Sequence, residues 1–356
     1  MARVLHLIDD TGLGGVTRVL ADQLPLLGDG HSHEIRQVIA RRRLPGAMGA
    51  DIVVVHFTLS WAKLPYLIAL RARLGRARLV LVEHSYTGAY EQHCVANRFR
   101  FRTMLRTAYR LADRVVAVSH GQAAWIRAAS LIAPARLVTI PQACDTSALT
   151  AVSAIARSGA QSGAQSGPLR LGAYGRYAPQ KGFDTLIAAM RLLPPGVATL
   201  DLAGYGSDEG ALRDAASGLP NVRICGKING PLAFLVNIDA VVVPSRWEAF
   251  GLVAAEARAA GRPVLAAAVD GLVEQIEPAW GAVYAGDSPA VLAAAIQAFA
   301  ARDHAAMSDA ARQSVGAALA TTVNLWARLL RSLGSVAETP ATGRLLAAPP
   351  VAEHSS

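Results

Sequence analysis

Residues 244–256 of this 356-residue chain read PSRWEAFGLVAAE. The run that leads into them, Ala240–Pro244, is short and β-branched, which predicts a buried strand. The run that leaves them, Leu252–Ala260, has helical character. Strand, glycine-bearing loop and helix in that order make half of a parallel βαβ unit. Glu248 then falls in the loop and Glu256 in the first turns of the helix, with seven residues between them. Phe250, Gly251 and Leu252 present backbone N–H groups at the helix N-terminus, a natural phosphate site. Gly251 also allows close approach to the backbone. The plainer alternative makes Glu248 a solvated loop carboxylate and Glu256 a surface helix residue.

The same alternation runs outward in both directions. Strand-like runs before the midpoint are Val4–Ile8, Glu34–Ile39, Ile52–Phe57, Leu79–Glu83, Arg114–Ser119 and Leu137–Ile140. Those after it are Arg170–Tyr174, Thr199–Ala203, Val222–Cys225, Ala240–Pro244 and Pro263–Ala266. Amphipathic stretches lie between most of them, among them Thr17–Leu27, Leu64–Leu74, Asp184–Leu193 and Glu209–Ser217. The expected class is α/β, with two doubly wound, Rossmann-like parallel sheets facing across a cleft.

The divide between the halves is marked by residues 151–168, AVSAIARSGAQSGAQSGP, in which GAQS occurs twice. Small polar residues and glycine make a flexible connector. The expected organisation is a first domain over 1–150, the linker over 151–168, a second domain over 169–320, a terminal helix over 321–336 and a disordered tail over 337–356.

Composition excludes several classes. At 52% hydrophobic residues the chain is far too apolar for general disorder. Cys94, Cys144 and Cys225 are widely spaced and form no CxxC pair, which argues against a disulfide framework or a structural zinc site. No Asp-x-Asp pair occurs, and no metal is expected. The N-terminal run lacks a signal-peptide core, and the longest apolar stretch is broken by His56, Lys63 and Pro65. A cytoplasmic protein is expected. The formal net charge of +9 is unevenly shared: residues 1–150 hold 19 Lys/Arg against 10 Asp/Glu, while the remainder is balanced at 16 of each. One domain therefore faces something anionic.

A second constellation sharpens the first. Residues 172–182 read GAYGRYAPQKG, with Arg176 and Lys181 just after a strand. A planar guanidinium and a point charge on a glycine-punctuated loop suit a diphosphate. Lys181 is one of three lysines in a chain with 32 arginines, so composition does not supply it casually.

The run from Arg170 to Glu277 resembles the donor-binding domain of the retaining glycosyltransferases of family 4, which have the GT-B fold. The pieces occur in order: GRYAPQKG, LDLAGYGSDEGAL, NVRICGKI, DAVVVPSRWEAFGLVAAEARAAGRPVLAA and GLVEQI. GLGGVTR, residues 12–18, resembles the family's N-terminal glycine loop, and His84 in LVEHSY stands where its active-site histidine does. Ser119 in VVAVSHGQ matches a recurrent serine, and a helix N-cap explains it equally well. Two elements depart from the pattern: Ser207 follows Gly204–Gly206 in place of proline, and Gly271–Glu274 reads GLVE rather than GLPE.

The resemblance implies a hexosyl transfer from a nucleotide-diphosphate sugar, UDP- or GDP-linked, to a hydroxyl of a lipid-linked or surface-polysaccharide acceptor. The first domain would bind the acceptor and the second the donor. Arg176 and Lys181 would stabilise the departing diphosphate, Glu248 would contact the sugar, and Glu256 would hold the ribose hydroxyls. Phe250, Gly251 and Leu252 would complete the cradle. His84 would face the sugar from the first domain, and Gly14 and Gly15 would let its loop reach the phosphates. No cofactor beyond the substrate is implied. Competing readings are a sugar-nucleotide epimerase, a synthase with a soluble acceptor, or a non-catalytic sugar-nucleotide or membrane-binding subunit.

Asn97–Arg114 carries Arg98, Arg102, Arg106 and Arg110 at intervals of four, a cationic stripe if helical. Apolar residues beside it fit a helix lying on anionic lipid at the inner face of the cell membrane, or an ordinary solvated face. Arg41–Arg43 add a second basic cluster. No nucleic-acid module is matched.

Overall fold

The computed structural model describes residues 2–9, 15–27, 30–39, 48–151 and 167–334. Gly14, Arg41–Arg43, most of the expected linker (152–166) and the expected tail (337–356) lie outside the described residues.

The first half contains β1 (Arg3–Ile8), α1 (Gly15–Gln23), β2 (Ser32–Gln37), β3 (Ile52–Val55), α2 (Leu64–Arg73), β4 (Arg78–Glu83), α3 (Gly88–Cys94) and α4 (Arg98–Leu111). It continues with β5 (Arg114–Ala117), α5 (His120–Ala128), β6 (Leu137–Thr139) and α6 (Ser147–Thr150). Its six strands lie in the order β2-β1-β3-β4-β5-β6, all neighbours parallel.

The second half contains β7 (Leu169–Arg176), α7 (Phe183–Leu192), β8 (Ala198–Tyr205), α8 (Glu209–Ala216), β9 (Val222–Gly226), α9 (Pro231–Leu235), β10 (Ala240–Val243) and α10 (Leu252–Ala259). It ends with β11 (Val264–Ala267), β12 (Gly281–Tyr284), α11 (Pro289–Ala300), α12 (His304–Gln313) and α13 (Ala318–Gly334). Its sheet has the order β12-β11-β10-β7-β8-β9, again parallel throughout.

The inner strands of both sheets are buried on both faces, which is why they read as continuous apolar runs. In β3 all four residues, Ile52 to Val55, are buried. Val53 and Val55 join Leu5, Leu7, Leu79 and Leu81 in a core covered by α2, α4 and α5. Ile52 and Val54 join Val4, Val80 and Val116 on the opposite face. That face is covered by α13, whose Trp326, Leu329, Leu330 and Leu333 pack there, and the Thr322 hydroxyl donates to Pro141 O at 2.9 Å. The last described helix thus crosses back onto the first sheet.

Two local differences from the sequence reading have clear causes. Thr17–Leu27 shortens to α1 and a 3₁₀ turn, because Pro25 cannot donate to a continuing helix. Strand β12 is unexpected; its Gly-Ala-Val-Tyr run has little β-branched character and follows a loop rather than a helix.

Candidate active site

The two loops singled out above are stitched together at the carboxyl ends of β7 and β10. Arg246 N donates to Gln180 O at 2.8 Å, and Gln180 Nε2 donates to Trp247 O at 3.1 Å. Lys181 Nζ sits 2.5 Å from Glu248 Oε2, which also accepts from Ser245 Oγ at 3.2 Å. Close packing requires glycine at 182: φ is +64°, and a Cβ there would stand 2.2 Å from Pro244 O. Arg176 is exposed and makes no hydrogen bond or ion pair with any described residue, so its guanidinium is available to a ligand.

Glu256 is buried, unlike a surface helix residue. Its carboxylate accepts from the Tyr174 hydroxyl at 2.7 Å and pairs with Arg18 of α1, in the other domain. Burial pushes its pKa up, while Tyr174 and Arg18 pull it down. Gly251, at φ +95°, precedes α10, and no side chain caps that helix. A Cβ at Gly251 would lie 2.4 Å from Leu272 Cδ2, so the backbone comes close on this side. Phe250 is buried, and Gln275 Nε2 donates to its carbonyl.

The first domain meets this loop directly. Gly15 lies against Leu252, whose Cδ1 would be 3.3 Å from a Cβ at that position. Trp247 stands edge-on to Tyr90 of α3, with ring centroids 5.7 Å apart. Asp270 Oδ1 accepts from Ala89 N at 3.0 Å at the start of α3. Glu274 Oε2 accepts from His120 N and Gly121 N at 2.8 and 3.1 Å at the start of α5. Two carboxylates of the second domain therefore sit on two helix N-termini of the first, where the helix dipole favours negative charge. Ser119 caps α5 by accepting from Gln122 N at 3.0 Å.

His84 follows β4 on the first-domain side. Both its ring nitrogens are engaged: Nε2 with His56 Nδ1 at 3.1 Å and Nδ1 with Gln142 Nε2 at 2.7 Å. Burial lowers its pKa to about 4, so the ring is neutral at pH 7. A surface depression of about 450 Å³, lined by Arg170, Asp201, Arg223 and Asn237, lies at the opposite, amino ends of the second sheet's strands. Its charges are consumed in pairs, Arg170 with Asp239 and Arg223 with Asp201.

The arginine stripe requires correction. Arg102 forms two hydrogen bonds with the buried Glu91 at 2.6 and 2.9 Å, and Arg106 donates to Ser130 O and Ala129 O. Helical periodicity aligned Arg98, Arg102, Arg106 and Arg110, but the neighbouring α3 and α5 supply acceptors that turn the middle two inward. What stays exposed is Arg98, Phe99, Arg100 and Arg110, with the Arg100 guanidinium over the exposed Trp61 ring at 5.8 Å.

Two parallel doubly wound sheets, with an uncapped helix N-terminus where the two halves meet, define a GT-B-type protein. Solved structures with this fold include Alr3699/HepE of Anabaena in complex with UDP and glucose (19% identity, 94% of this chain, 100% of that one, TM-score 0.71). Sucrose-phosphate synthase from Thermosynechococcus elongatus is alike (21% identity, 94% and 100%, TM-score 0.72). The model described as Glycosyltransferase Family 4 matches residues 13–148, and that described as Glycosyl transferases group 1 matches 168–302. The chain belongs to the family 4 glycosyltransferases. Among curated relatives, glycogen synthase of Mycobacterium tuberculosis is 39% identical over 120 residues (32% of this chain, 29% of that one). D-inositol 3-phosphate glycosyltransferase of Mycolicibacterium vanbaalenii is 31% identical over 220 residues (56% and 48%). The matches thus span less than half of the length of these relatives.

Sequence reasoning passed over Arg18, Tyr174, Asp270 and Gln142. Arg18 stood inside the quoted GLGGVTR, and Tyr174 inside GAYGRY; only the partner each would meet was invisible.

Proposed function

We propose that this protein transfers a hexosyl unit, with retention at the anomeric carbon, from a UDP- or GDP-sugar to an acceptor hydroxyl. The observation that carries the reading is the junction of Lys181 with Glu248 beside an uncapped helix N-terminus and the exposed Arg176 guanidinium, which pairs with no described residue. The diphosphate lies along the α10 N-terminus, where N–H groups and the helix dipole favour it. Arg176 and Lys181 neutralise the negative charge that grows on the leaving diphosphate, so they act where the barrier is lowered. Fixed cations supply this without a metal ion. Lys181 also orients Glu248, whose second contact with Ser245 fixes the carboxylate for the sugar hydroxyls. Glu256 accepts from the ribose hydroxyls, with Tyr174 steadying it. Gly15 brings the first domain against the donor cradle, His84 faces the transferred sugar, and closure excludes water.

The acceptor is lipid-linked or a surface saccharide, reached from the cytoplasmic face of the membrane. Among the described residues no helix is long and apolar enough to cross a membrane. The support for a peripheral site is at the start of α4. Arginines in a helix's first turn oppose its dipole, and α4 has no acidic residue there. Arg98, Phe99, Arg100 and Trp61 instead present charge and apolar surface outward, as binding to anionic lipid requires. A thermal-shift screen against UDP- and GDP-sugars, followed by product analysis with lipid acceptors, tests the reading; no stabilisation by any of these nucleotides would refute it.

A further inference from the structure

Four histidines cross the first sheet in one line. His6 Nε2 lies 3.2 Å from His33 Nδ1, His6 Nδ1 lies 3.0 Å from His56 Nε2, and His56 Nδ1 lies 3.1 Å from His84 Nε2. The register explains the alignment. Val4 pairs with His33, and His6 is two residues on; Val54 pairs with His6, and His56 is two residues on. Val80 pairs with Val54, which sets Val82 beside His56, and His84 is again two residues on. Each step therefore moves one strand over and one same-face position toward the carboxyl ends. His33 is half-buried on the edge strand β2, His6 and His56 are buried, and His84 closes the line at the cleft.

Hydrogen-bond chemistry gives the line a direction. A neutral imidazole donates from one nitrogen and accepts at the other. The Gln142 amide Nε2 can only donate, so His84 Nδ1 accepts and its proton resides on Nε2. His56 Nδ1 must then accept and its Nε2 donate to His6 Nδ1, and His6 Nε2 donates in turn to His33 Nδ1. Burial and the adjoining rings together keep His6 and His56 unprotonated.

We propose that His56 and His6 are positioning residues for His84: the line locks His84 as the Nε2–H tautomer and leaves Nδ1 toward the cleft as a hydrogen-bond acceptor. The group it takes from the substrate is an O–H donor, which replaces the Gln142 amide. This rests on the donor-sugar reading above, but its test does not. Nitrogen-15 imidazole spectra of the ligand-free protein are expected to show His84, His56 and His6 each as a single Nε2–H form, with N–N couplings across the hydrogen bonds. His6→Gln preserves the direction, since its carbonyl accepts and its amide donates, and should leave the His84 signals in place. His6→Phe cuts the line and should move the His84 signals two rings away. It should also lower donor turnover roughly tenfold, with His6→Gln restoring it. His33→Phe makes the same kind of cut at the half-buried edge, where folding is less at stake. An Nδ1–H or averaged His84, or His84 signals indifferent to both phenylalanine variants, would overturn the proposal. An ordered line in a protein that binds no UDP- or GDP-sugar would support the proposal and sink the donor reading instead.

Discussion

Arg18 and Glu256, 238 positions apart in the chain, form an ion pair that joins α1 of one domain to α10 of the other. The buried carboxylate that we propose for the ribose is thus engaged by a side chain of the other half of the chain, and the pair ties the two halves together.

Removing that cation should loosen the ligand-free protein. In Arg18→Ala the buried Glu256 keeps only Tyr174, at a cost of about 1 kcal/mol once the exposure of Arg18 is allowed for. Small-angle scattering should give a larger radius of gyration than wild type. An unchanged radius would show that the pair does not hold the domains.

Glu274 makes the second bridge, and it is separable from the donor site. Glu274→Ala strips the acceptor from His120 N and Gly121 N at the start of α5. A loss of about 0.5–1 kcal/mol is expected from the dipole interaction. Adding the substitution to Arg18→Ala should enlarge the radius further, since the two contacts lie on different helices; no additional change would argue against independent bridges.

Acid should destabilise the fold through the histidine line. His6 and His84 have folded pKa values lowered to about 3 and about 4, against 6.5 when free. Between those limits the unfolded chain binds more protons, so stability is present above pH 6.5 and lost as pH falls through the window. Each such histidine steepens the dependence by up to about 1.4 kcal/mol per pH unit. Urea denaturation at pH 7 and pH 5 should show His6→Phe less acid-sensitive than wild type.

Glu83 acts in the opposite direction. Burial raises its pKa, against the Ser85 and Tyr86 N–H groups and the Tyr109 hydroxyl that hold it. Folding shifts the balance toward the protonated form, so this contribution is fully present below the free value of 4.5 and lost as pH rises through the folded pKa. Glu83→Gln should flatten that part of the stability profile. A profile parallel to wild type from pH 4 to 8 would contradict the assignment.

Lipid binding should depend on the outward residues of α4. In flotation with anionic vesicles, Arg98→Ala and Arg100→Ala should each cost roughly fivefold, at about 1 kcal/mol per basic residue near the surface. Arg102→Ala should instead lower thermal stability, because it leaves the buried Glu91 carboxylate with the Trp125 indole N–H and no cation bonded to it. Equal flotation of all variants would remove the membrane from the reading.

These expectations separate what was legible in the sequence from what was not. Parallel strands buried on both faces are nearly pure Val, Ile and Leu, so β1, β3, β4 and β10 could be read directly. Lys181 and Glu248 sit on loops with motif spacing, and the pairing of their loops completes what each suggested alone. The arginine stripe misled because periodicity reports a helix face but not the acceptors on the next helix. The histidine line was illegible for a related reason: one histidine per strand becomes a row only when the register aligns them.

The most direct test concerns Lys181. Release of nucleoside diphosphate from UDP- and GDP-sugars, with and without lipid-linked acceptors, should be measured for wild type, Lys181→Ala and Lys227→Ala. Lys227 serves as the control because it is exposed, whereas Lys63 is buried and pairs with Asp9. The expected result is turnover of at least one sugar nucleotide, lowered about a hundredfold or more by Lys181→Ala and unchanged by Lys227→Ala. Turnover indifferent to Lys181, or absent with every nucleotide sugar, would contradict the reading of this site.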